Sequence, residues 1–96
     1  MGQLSRQILG AVTDGRYVIS RHANERLRFR RIAAWQVLSG ISDATILHER
    51  PDDAPNPAIE LEQGLADGTP VKVVWSWMGQ IRTAKLVTVH FFDGES

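Results

Sequence analysis

Ile59-Glu60-Leu61-Glu62-Gln63-Gly64-Leu65-Ala66-Asp67-Gly68-Thr69-Pro70-Val71-Lys72-Val73-Val74-Trp75-Ser76-Trp77 decides the fold class. Ile59, Leu61 and Leu65 alternate with Glu60, Glu62 and Gly64, the period of two expected of a half-exposed strand. Asp67-Gly68 is a hairpin turn signal, and Val71, Val73, Trp75 and Trp77 then share one face of a second strand. Downstream, Met78-Gly79-Gln80 turns the chain and residues 85–92 form a last strand. Upstream, residues 51–57 hold three prolines, which exclude both ladder and helix, so a loop separates this hairpin from a strand over 44–49. The second half of the chain therefore reads as an antiparallel meander over about 44–92.

Before residue 44 the period is helical. Leu4, Ile8 and Val12, with Ala11 beside them, predict an amphipathic helix over 3–13 that ends at the turn Asp14-Gly15. Tyr17-Val18-Ile19 is a short extended piece. Ser20 is an N-cap for a second helix running to about Arg30. Ala34, Val37, Leu38 and Ile41 lie on one stripe of a third helix over 33–41. Helices first and strands afterwards make an α+β domain, with N-terminal helices (about 3–41) packed on a roughly four-stranded, twisted antiparallel sheet. A chain of 96 residues, 43% hydrophobic, builds one modest core, so residues 1–96 are expected to form a single domain.

Composition removes several classes of function. There are no cysteines, hence no disulfide framework, thiolate metal site or Cys nucleophile. No apolar run is long enough to span a membrane, and the N-terminus lacks the pattern of a signal peptide or of myristoylation; a soluble, cytoplasmic protein is expected. The formal net charge is zero, which argues against coating nucleic acid through bulk charge. Its distribution is uneven, however. Residues 1–31 carry seven arginines against Asp14 and Glu25, whereas residues 43–67 carry Arg50 against Asp43, Glu49, Asp52, Asp53, Glu60, Glu62 and Asp67. Either the basic segment presents a face to an anionic ligand, or the two segments attract each other within the fold.

Residues 20–32, Ser-Arg-His-Ala-Asn-Glu-Arg-Leu-Arg-Phe-Arg-Arg-Ile, carry the first candidate site. On a helix, His22, Arg26 and Arg30 fall on one stripe about 80° wide. Ala23 and Leu27 flank it on one side and Phe29 on the other, while Asn24, Glu25, Arg28 and Arg31 form a polar arc that faces water. The stripe should therefore look toward the sheet or into a cleft. Desolvated arginines need anionic partners. These are either internal, such as Asp43, Glu60 or Glu62, or the phosphate of a ligand.

The last strand carries the second candidate site. Strict alternation puts Lys85, Val87, Val89 and Phe91 on one face and Leu86, Thr88, His90 and Phe92 on the other, so that Thr88 and His90 point the same way. Such a pair is either one wall of a polar pocket or the solvated side of a sheet. His22, His48 and His90 lack metal-ligand spacing, and neither a phosphate-cradling Gly-rich loop nor a nucleophile elbow is present, so neither metal nor cofactor is expected. Trp35, Trp75 and Trp77 are suited to stacking bases, but aromatics on stripes of this kind more often belong to the core.

The run Ile19-Ser20-Arg21-His22-Ala23, then Arg26, Arg30, Ile32 and Val37, resembles a bacterial family called domain of unknown function 4258. That family shows Ser-x-His-Ala, an Arg four residues after the His and an Arg-Gly-Ile step into the next helix. Later features that look alike are Pro55 to Pro57, Asp67-Gly68 before the Val-rich strand, and Thr88-Val89-His90. Arg31 replaces the usual Gly. His90 stands where an aromatic such as Tyr is common, which either supplies a new acid/base group or marks a position without a catalytic role. The family looks similar in fold to the barnase–EndoU–colicin–RelE group, which includes metal-independent ribonucleases and toxins of toxin–antitoxin pairs. The resemblance implies a RelE-like, toxin-type, metal-independent RNA-processing or RNA-binding module, with an endoribonuclease as its enzymatic form. His22 and His90 would supply base and acid, Arg26 and Arg30 would hold the phosphate, and Thr88 would position it. The implied partners are RNA and a small acidic antitoxin. The alternative is a non-catalytic protein-interaction domain whose basic helix docks an acidic partner or a second copy of the chain.

Overall fold

Two patterns of burial, one of period 3.6 and one of period 2, meet in a single core. The structure is a computed structural model and describes residues 2–92. Helix α1 (Gln3–Thr13) turns its buried Ile8, Ala11 and Val12 onto the sheet. The short strand β1 (Tyr17–Ile19) follows, then α2 (Arg21–Phe29), α3 (Ala34–Ser39) and a 3-10 turn at Gly40–Asp43. The meander comprises β2 (Thr45–Arg50), β3 (Ala58–Gly64), β4 (Pro70–Met78) and β5 (Thr83–Phe91). Ile59, Leu61, Val71, Val73, Trp75, Leu86 and Val89 are almost fully buried on the helix-covered face of the sheet. Each such side chain contributes roughly 1.5–3 kcal/mol relative to exposure. Asp67-Gly68 makes the expected turn. Gly68 has φ +89°, Leu65 N–H donates to Thr69 O (2.8 Å), and Thr69 N–H donates to the Asp67 carboxylate (2.9 Å), which holds that carboxyl below its usual range.

The sheet differs from the expected one in strand number and sense. It has five strands in the order β1-β5-β4-β3-β2, and β1 runs parallel to β5, with Tyr17 opposite Ala84 and Ile19 opposite Leu86. A three-residue strand carries too little local pattern to reveal a partner so far along the chain. Its pairing is completed by Ala84 N–H to Arg16 O (3.1 Å) and Ser20 N–H to Leu86 O (3.0 Å). The third helix is also shorter than the expected 33–41, because the chain tightens into 3-10 geometry at Gly40. Gln63, buried on the core face of β3, donates to Val37 O at 2.9 Å and so ties α3 to the sheet.

Two termini are closed by polar groups. At the start of α1, the Glu49 carboxylate accepts from the Ser5 hydroxyl and from Ser5 N–H (3.0 Å). These bonds hold its carboxyl below the usual value. Their contribution is present above the ordinary carboxylate pKa and is lost as pH falls through the lowered one. The C-terminus of α2 is a Schellman motif: Ile32 N–H reaches Leu27 O (2.9 Å), Arg31 N–H reaches Arg28 O (3.2 Å), and Ile32 and Leu27 are both buried. Arg31 at the left-handed position has φ 55°, where glycine carries no Cβ strain. Arg31→Gly is therefore expected to raise stability by about 1 kcal/mol, or roughly 4–8 °C in melting temperature for a domain of this size. An unchanged or lower melt would mean that the Arg31 side chain offsets the backbone strain.

Candidate functional site

Ser20 is where the site is anchored. Its hydroxyl accepts from Ala23 N–H (3.0 Å), capping α2, and donates to Val87 O (3.2 Å), fastening the helix start to β5. With the cap in place, Ala23 and Leu27 enter the core, and the adjacent stripe of α2 lies along β5. Asn24, Glu25, Arg28 and Arg31 are exposed, as the helical arc required.

On β5 a bulge changes the faces. Val74 pairs with Thr88 but Trp75 pairs with Leu86, so Val87 is the extra residue. Leu86 thereby shares the core face with Val89 and Phe91, and Lys85 shares the opposite face with Thr88 and His90. This corrects the alternation expected from the sequence, which grouped Leu86 with Thr88 and His90. Thr88 and His90 nonetheless remain together, because both follow the bulge.

The two candidate groups meet. His22, Arg26 and Arg30 of α2 and Thr88 and His90 of β5 line one cavity of about 250 Å³. His22 is exposed at its mouth, and the other four are half-buried. The Arg26 and Arg30 guanidinium groups lie 5.4 and 5.7 Å from the Phe29 ring centroid, and Arg30 lies 6.0 Å from that of Phe91. Phe29 is 74% exposed, so it forms an outer shelf for the two cations rather than part of the core.

The acidic middle of the chain takes other cations. Glu60, only 5% exposed, is paired with Arg50 and with Lys72 (3.6 Å). Arg26 has no carboxylate partner among the described residues, and its buried Nε has no hydrogen-bond acceptor there. Internal pairing with Asp43, Glu60 or Glu62 is thus not realised for Arg26. The register explains why: Glu60 lies opposite Val74 and His48, two strands away from β5. Trp75 is fully buried, with Tyr17 edge-on at 6.4 Å, and Trp77 packs against the core; Trp35 alone of the three is largely exposed, at 62%.

A second cavity, about 380 Å³, adjoins the first, and His22 lines both. Residues of the 51–57 loop form one wall, and Lys85, Val87 and Val74 belong to its sheet side. Lys85 escaped the sequence reading because nothing local announces a bulge. Among the described residues no group of three or more His, Asp or Glu is placed to hold a metal ion, and no helix is long and apolar enough to cross a membrane.

Residues 19–90 match the family model described as Domain of unknown function (DUF4258). No curated protein and no solved structure matches the chain.

Proposed function

This chain belongs to the Domain of unknown function (DUF4258) family, and we propose that it binds RNA phosphate between α2 and β5 and cleaves the strand without a metal. One observation carries the reading: two histidines, two arginines and a threonine, from elements far apart in the chain, line a single cavity. Arg26, with no carboxylate partner among the described residues, is available to an anion. In this reading His22 takes the proton of a ribose 2′-OH, whose oxygen attacks phosphorus. The bond to the 5′ oxygen breaks as His90 protonates that leaving group, and a 2′,3′-cyclic phosphate remains. Arg26 and Arg30 hold the phosphoryl oxygens as charge builds on them, and Thr88 positions the group. The RelE-like fold kinship belongs to the same proposal, supported by the four-stranded antiparallel meander β2–β5 that follows the helices, and a small acidic antitoxin is the partner that this kinship would imply.

A second reading has support of its own. Phe29 and Trp35 are both well exposed, and Arg28 and Arg31, close to them in the chain, are exposed as well, a composition suited to docking an acidic protein or a second copy. The two readings separate in a salt titration with a single-stranded RNA oligonucleotide. Two to three phosphate contacts give a log–log slope of about −1.4 to −2.1, so affinity should fall roughly 7- to 20-fold between 50 and 200 mM salt. Flat binding, or binding weaker than millimolar at low salt, would favour the docking module.

A further inference from the structure

We infer that the larger cavity beside His22 is a nucleobase subsite, holding the ring of a nucleotide whose phosphate lies in the arginine-lined cavity. This rests on the phosphate reading above and adds what the site recognises next to it. Three features of the cavity point to a flat heterocycle. Its floor is aliphatic: Ala58, Val74 and the bulged Val87 present methyl groups on the open face of the sheet. A phosphate would leave such a floor uncomplemented, whereas the face of a ring covers it. Two of the surrounding groups carry charge. Asp53 and Lys85 both line the cavity, and neither makes an ion pair among the described residues. Asn56, also in the wall, carries a donor and an acceptor on one side chain. An acceptor, a two-way amide and a cation around an aliphatic floor complement a ring that offers N–H donors and acceptors at its edge and an anionic tail.

The position of the cavity supplies the connection. His22 lines both spaces, so a ligand filling the larger one extends directly toward Arg26. An extended peptide fits less well. Ala58 and Val74 belong to β3 and β4, whose ladders are paired on both sides, and Val87 O on β5 already accepts from the Ser20 hydroxyl, so the floor offers no free backbone edge for strand addition.

The experiment compares ribose 5-phosphate, the four nucleosides and the four nucleoside 5′-monophosphates by calorimetry on the full chain, with amide NMR to locate the contacts. At least one nucleotide is expected to bind about tenfold or more tighter than ribose 5-phosphate, shifting the amides of Asn56, Ser76 and Val87. Val74→Phe fills the floor and should remove that increment while leaving ribose 5-phosphate affinity unchanged. If that variant does not fold, Asn56→Ala, in the loop, should reduce the increment by about threefold or more. Nucleotides that bind no tighter than ribose 5-phosphate overturn the subsite, as does an increment that persists in the folded variants. Nucleosides that bind at these amides while ribose 5-phosphate does not would leave the subsite standing and remove the phosphate reading instead.

Discussion

Alanine at His22 or at His90 is expected to lower RNA cleavage by about 100-fold or more, the usual scale for loss of a positioned acid or base. The two imidazoles reach one cavity from α2 and β5, and a denaturant melt of each variant separates loss of chemistry from loss of fold. Activity should survive chelators, since the proposed proton transfers use side chains alone. Its pH profile should be bell-shaped, because base and acid must be in opposite protonation states at once. The double substitution should cost little more than either single one, since base and acid act as a unit. Cleavage that disappears with EDTA, or that ignores both substitutions, would remove this mechanism without touching the fold.

Arg26→Ala should weaken binding of a single-stranded RNA roughly 10- to 100-fold, the worth of one charge-assisted hydrogen bond to phosphate. Its effect on stability should be small. With no carboxylate paired to Arg26 among the described residues, truncation strands no buried acid and forfeits mainly the contact with the exposed Phe29, about 0.5–1 kcal/mol. A loss of 3–5 kcal/mol in a denaturant melt would instead mean a buried ion pair. An unchanged melt together with unchanged binding would leave Arg26 outside both roles.

The stripe His22, Arg26, Arg30 could be read directly because helical spacing and an N-cap at Ser20 are local properties. Thr88 and His90 could be paired for the same reason, being two apart on one strand. That the stripe and the pair face one another could not be read, and neither could the partners of Glu60. Each depends on strand register, which is set by side chains meeting across the sheet: Val73 opposite Val89, and Leu61 opposite Val73.

What the residues determined by themselves is what the chain settles within a few neighbours: the α1 and α2 stripes, the Asp67-Gly68 hairpin, the proline loop and the capping serine. The tertiary structure alone decided that β1 joins β5 in parallel, that Val87 bulges and turns Lys85 to the side of Thr88 and His90, and that Arg50 and Lys72 rather than Arg26 take up Glu60. Periodicity records which side of an element is apolar, an energy each residue carries alone. Register, bulges and ion pairs are energies of encounter between distant segments, and they exist only once the core has brought those segments together.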